Sequence, residues 1–213
     1  MRLDHVSYAV NSSELVDTVQ RLGQQLGGSF IDGGRHPRFG TRNFVLPVEG
    51  GTYVEVVAAL DHPASDKAPF GQAVKARAEA GGGWLGWAVS VPDIARIEAR
   101  LGRLSVDGHR LRPDGFDLTW KQIGVVDLIE DASLPFFLQW TSDPSQHPSL
   151  VSPAHVSAVA CEIAGEEDRI REWLGGEIDS PFEGSDITWV EADEPGLIAV
   201  VFKTASGDLV RID

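Results

Sequence analysis

The sequence predicts an α+β protein in which one module, a strand, an amphipathic helix and further strands, is repeated along the chain. Three observations predict it. Strand-like stretches such as "LDHVSYAV" are each followed by a stretch of helical period. That order recurs three times within 213 residues. Finally, "HVSYAV" at His5 returns as "HVSAVA" at His155, with "RLG" at Arg21 answered by "WLG" at Trp173 and "EGGTYVEV" by "ASGDLVRI". One chance match would not repeat at the strand, the helix end and the hairpin together.

The first module, residues 1–60, opens on "LDHVSYAV" and enters the helix "SELVDTVQRLGQQLG" through Ser12 or Ser13, with Gly27 and Gly28 as its stop. It closes on "NFVLPVEGGTYVEVVA", two strands joined by a Gly-Gly turn. The second, residues 84–141, opens on "LGWAVSV", has "PDIARIEARLG" as its helix with Pro92 early, and ends in "TWKQIGVV" and "PFFLQW". The third, residues 154–213, is divergent: "HVSAVACEI", the helix "EEDRIREWLGG", then "LIAVVFKTASGDLVRI". Residues 61–83 and 142–153 are expected as linkers, the latter rich in Pro, Ser and Asp. A module of this size cannot bury a sheet face alone, so the modules should pack together.

Composition narrows the function. A formal charge of −14 and a pI near 4.7 repel phosphate backbones and anionic membranes, so neither nucleic acid nor a membrane is an expected partner. The single Cys, Cys161, excludes an internal disulfide and a multi-Cys zinc site, and its apolar surroundings predict a buried, inert thiol. With no signal-peptide pattern and no run of 18 apolar residues, a soluble cytoplasmic protein is expected.

The stretch "GGTYVEVVAAL" places a carboxylate inside a buried-looking strand. Alternation puts Glu55 on one face with Tyr53 and Val57, and a buried carboxylate needs a cation, a donor or water beside it. An edge strand with Glu55 in solvent is the competing reading. The segment "GGRHPRFGTRN" gathers Arg35, His36, Arg38 and Arg42 between glycines. It reads either as a subsite for an anionic substrate group, with His36 as acid or base, or as a solvated turn. His62, His109 and His147 read as surface residues. Trp84, Trp87, Trp120 and Trp140 read as core first and as cavity wall second.

On "LDHVSYAV", "GGRHPRFGTRN", "GGTYVEVVA" and "PFFLQW", the chain resembles the vicinal oxygen chelate superfamily and, within it, the glyoxalase-like proteins. The resemblance implies that paired βαβββ modules curl into a half-barrel of mixed sheet, with helices packed outside. It also implies a divalent metal (Zn, Ni, Mn or Fe) held by residues of the first and last strand of each module. Carried over, these are His5 and Glu55, with Gln139 at the matching place of the second module and Gly86 opposite His5. That set has one anionic ligand. Pairing the first module with the third would instead bring in His155, and with it Arg211, whose charge opposes a cation or replaces it beside Glu55. First with second is preferred, since neighbours in sequence usually pack together.

Two functions remain open. One is a metal-assisted lyase, isomerase or dioxygenase acting on a small oxygen-bearing molecule, with Glu55 and His36 moving protons and Arg35, Asn43, Tyr53 and Trp87 binding substrate. The other is a metal-free protein that binds or sequesters a small molecule in the same cavity. The odd third module, with a sheet face needing cover, predicts a homodimer through that module.

Overall fold

A computed structural model describes residues 1–176 and 186–213. In chain order its elements are β1 (Arg2–Val10), α1 (Leu15–Leu26), β2 (Ile31–His36), β3 (Thr41–Val48), β4 (Thr52–Ala59), α2 (Pro63–Lys67), α3 (Pro69–Glu79), β5 (Gly83–Ser90), α4 (Ile94–Leu101), β6 (Val106–Leu111), β7 (Asp117–Ile123), α5 (Val125–Glu130), β8 (Phe136–Trp140), β9 (Ser157–Ala164), α6 (Glu167–Leu174), β10 (Asp186–Trp189), β11 (Gly196–Lys203) and β12 (Leu209–Ile212). Two 3-10 turns, Pro144–Gln146 and Pro148–Leu150, lie between β8 and β9.

The first two modules pair, and their sheets join into a barrel of order β1-β4-β3-β2-β6-β7-β8-β5. In each, the first strand lies parallel to the last, β1 with β4 and β5 with β8. β1 and β5 meet antiparallel along most of their length, whereas β2 meets β6 at Arg35 and Leu111. β4 is therefore an interior strand between β1 and β3, and Glu55 is 4% exposed, which excludes the edge-strand reading.

Helices cover the outside because their apolar residues share one face. In α1 the buried residues include Leu15, Leu22 and Leu26, packed on outward Val54, Val56 and Ala58. Gly27 ends the helix at φ +67, a conformation that favours glycine. α4 is capped by Asp93, whose side chain accepts from Ala95 N, and buries Ile94 and Ile97.

The stretch 61–83 joins the modules through helices rather than extended chain. Phe70, Ala73 and Val74 of α3 pack with Val125 and Leu128 of α5 against Ala9, Val57, Ala88, Phe136 and Leu138, filling one end of the barrel.

The third unit keeps the element order but not the pairing. β9 lies between parallel β10 and antiparallel β11, with β12 outside β11, giving β10-β9-β11-β12. Thus "EGGTYVEV" and "ASGDLVRI" both contain real turns, but β4 returns to the first strand of its module and β12 does not. The apolar face of this sheet, with Ala158, Cys161, Val200, Phe202 and Ile212, packs on Val6, Tyr8, Trp84, Trp87 and Val89 outside the barrel, and Trp84 Nε1 donates to Ile212 O at 2.9 Å. The face on which a dimer was expected is thus covered within the chain. Cys161 is fully buried and its thiol is pushed up to about 12 by burial. No helix among the described residues is long and apolar enough to cross a membrane.

Candidate functional site

The barrel interior holds a cavity of about 30 Å³, room for one or two waters. Six polar residues on its wall are His5, His36, Asn43, Glu55, Arg110 and Gln122, and the rest is largely aromatic, with Phe39, Tyr53, Phe70, Phe136, Trp120 and Trp140.

A bulge builds the first part of it. The β1–β5 register shifts between Leu3 and His5, so Leu3 joins the outer core instead of sharing the inward face with His5. Asp4 becomes fully buried beside His5. Its Oδ1 lies 2.9 Å from His5 Nδ1, and its Oδ2 lies 2.9 Å from Trp140 Nε1 and 3.2 Å from His147 Nε2. Burial alone would raise Asp4, but the hydrogen bonds of His147 and His5 outweigh it and hold the carboxyl well below the ordinary range. An ionised carboxylate only accepts, so His5 carries its proton on Nδ1 and, when neutral, turns the bare Nε2 toward Glu55. Tyr53 stacks on the ring at 4.7 Å and fixes its plane.

Glu55 accepts from Ser7 Oγ at 2.7 Å and Asn43 Nδ2 at 2.6 Å, and its Oε2 stands 4.0 Å from His5 Nε2. Burial opposes its charge, yet His5, His36 and these two donors together hold its carboxyl below the usual value. His36 goes the other way: burial pushes it down to about 4, against the pull of Glu55, and its Nδ1 meets Thr41 Oγ1 at 2.8 Å. At neutral pH the cavity thus holds an ionised carboxylate and a neutral imidazole, both proton acceptors.

The structure brings together His5, His36, Asn43, Tyr53 and Glu55. It does not bring in three others. Gln139 is on the outer face of β8, where its Oε1 accepts from Ile94 N at 2.9 Å, while Phe136, Leu138 and Trp140 face inward. Letter by letter, "TYVEVV" and "PFFLQW" set Leu138 at the place of Glu55, so the expected match of Gln139 is one residue out, and in a strand that reverses the face. Arg35 is exposed on β2, as its "solvated turn" reading had it. Trp87 points outward into the core beneath the third sheet, donating to Ser133 O at 3.0 Å. Of the third-module alternatives, His155 is exposed and Arg211 pairs with Glu162. His147, expected at the surface, is buried against Asp4.

Sequence reasoning missed Asp4 and Arg110, whereas Trp120 and Trp140 take the cavity-wall place that was its second reading of them. Asp4 stands in an apolar strand as Glu55 does, and that was its signal. Arg110 follows Gly108 by two in "VDGHRL", the spacing of one strand face, but charge made it look solvent-bound.

A divalent metal does not fit this donor set. Among the described residues no three His, Cys, Asp or Glu side chains converge as ligands. Both Glu55 oxygens are already engaged, and the second module contributes no anionic side chain but Gln122, apolar residues and the buried Arg110 guanidinium, a fixed positive charge.

The chain resembles known proteins most in its fold. Over its whole length it superposes on a hypothetical protein from Staphylococcus aureus, with a TM-score of 0.73, 15% identity, and coverage of 100% of this chain and 98% of that one. Methylmalonyl-CoA epimerases match part of it: that of Streptomyces coelicolor, in complex with 2-nitronate-propionyl-CoA, at TM-score 0.43 and 17% identity, covering 67% of this chain and 99% of that one, and that of Mycobacterium tuberculosis at 0.41 and 18%, covering 65% and 86%. No curated protein matches the sequence. The glyoxalase-like domain family matches residues 3–175, a span that takes in the barrel, the site on its inner wall and the first strand and helix of the third unit. The chain belongs to the glyoxalase-like domain family, within the vicinal oxygen chelate superfamily.

Proposed function

We propose that the barrel interior is a metal-free site that takes a small oxygen-bearing organic molecule and moves a proton on it, as an isomerase or lyase does. The observation that carries this reading is the buried carboxylate of Glu55, kept ionised in an aromatic cavity beside a neutral His36. Such an arrangement is a burden to folding and characteristic of sites that handle protons.

Glu55 Oε2 and His5 Nε2 stand 4.0 Å apart, and with His5 neutral a donor on the bound molecule is shared between them. Glu55 then takes the proton, and Asp4 holds His5 in the tautomer that assists. His36 is the second acceptor, fixed by Thr41.

The test is deuterium exchange into a panel of small carbonyl and hydroxycarbonyl compounds, followed by NMR, on protein treated with EDTA. Exchange by the wild type that falls by about two to four orders of magnitude in Glu55→Gln is expected. Exchange that disappears with EDTA and returns with a metal would overturn the metal-free reading. Saturable binding without exchange would make the protein a sequestering one.

A further inference from the structure

The interior contains a cation that this mechanism leaves without a task. Arg110 projects from β6 and is 2% exposed, yet its only hydrogen bond among the described residues runs from Nη1 to Asn43 Oδ1, at a long 3.4 Å. Its Nε is buried with no partner, Nη2 makes no hydrogen bond, and no carboxylate pairs with the guanidinium among the described residues. Asn43 stands between the two charges, donating to Glu55 through Nδ2 while its Oδ1 faces Arg110. Room for the guanidinium is made on β2, where a Cβ on Gly33 would come within 2.9 Å of Nη1 and 2.2 Å of Asn43 Oδ1. A buried ion normally has its donors satisfied, because leaving them bare forfeits hydration with nothing in return.

We propose that Arg110 is the anchor for a carboxylate on the ligand, and that the site takes small monocarboxylic acids. Nε and Nη2 share one edge of the guanidinium, and their spacing matches the two oxygens of a carboxylate that enters when the walls part, since Nε is closed off at rest. A tetrahedral dianion such as phosphate suits the place less, since ionised Glu55 lines the same cavity and repels the second charge. The volume of about 30 Å³ restricts the enclosed part of the ligand to a compact group. The proposal rests on the reading of the interior as a ligand site and adds the chemical class.

Trp120 and Trp140 on the cavity wall make binding visible as a change in fluorescence. Wild-type protein is titrated with propionate and with propionamide, which has the same shape and no charge. Propionate is expected to bind at least about tenfold more tightly, and Arg110→Met to weaken propionate far more than propionamide and so remove that preference. Arg110→Lys, which keeps charge and bulk but loses the fork, guards against a misfolded variant and should weaken propionate by about threefold or more. Equal affinity for acid and amide, or wild-type affinity for propionate in either variant, overturns the anchor and leaves the ligand site standing. Binding of neither compound overturns both.

Discussion

His36 ties the site to stability in a way that pH reveals. In the folded chain it protonates only at about 4, whereas an unfolded histidine does so near 6.5. Between these values the unfolded state holds a proton that the folded state lacks, so stability rises with pH there and is lost as pH falls. The loss amounts to about 3 kcal/mol across the window. Asp4 and Glu55, both held below their ordinary values of 3.8 and 4.5, contribute stability that is present above those values and lost beneath them, so neither carboxylate produces the slope between 6.5 and 4.5 to which His36 contributes. Urea unfolding at a series of pH values should show this slope in the wild type and a flatter line in His36→Gln; an unchanged slope would mean that His36 already carries its proton in the folded chain. Sequence reading reached Glu55 and His36 because a Glu among valines and a His between glycines stand out. It missed Arg110 because a charged residue near a turn has an ordinary explanation in solvent.

The strands show how an element can be identified correctly and still aim its side chains the wrong way. "PFFLQW" is β8, as expected, but the alignment that set Gln139 opposite Glu55 was one residue out. Gln139 instead receives the first turn of α4, binding Ile94 N. Replacing it by Ala should lower stability by about 1 kcal/mol, the usual worth of such a cap, measured by denaturant melts. Gln139→Glu should leave metal content unchanged by elemental analysis, and a gain of metal would return residue 139 to the site. β1 teaches the converse. Its period predicts His5 and Leu3 on one face, and a bulge at Asp4 separates them. Alternation is legible in sequence, but a bulge depends on the neighbouring strand and is not.

The whole molecule follows from the same repeat read at two ranges. Pairing of the first two modules was legible because both carry the complete strand–helix–strands order. The third was legible as a strand, a helix and a hairpin, but its pairing was not, since order along the chain does not state which strand lies beside which. Its sheet covers Val6, Tyr8, Trp84, Trp87 and Val89. Deletion of residues 154–213 should uncover that face and make the barrel associate, seen in light scattering as a mass that rises with concentration. A truncated chain as monodisperse as the full one would show that the barrel needs no such cover.

The seam between β2 and β6 bears on rates. Along it the described residues form one backbone pair, Arg35 with Leu111, while the opposite seam between β1 and β5 is paired from Arg2 to Ala9. A chamber walled by buried side chains fills only as often as its wall parts, and a seam so thinly joined is where parting is cheapest. In stopped-flow mixing, the observed rate of propionate uptake should therefore climb and then level off at the frequency of opening, instead of growing in proportion to concentration.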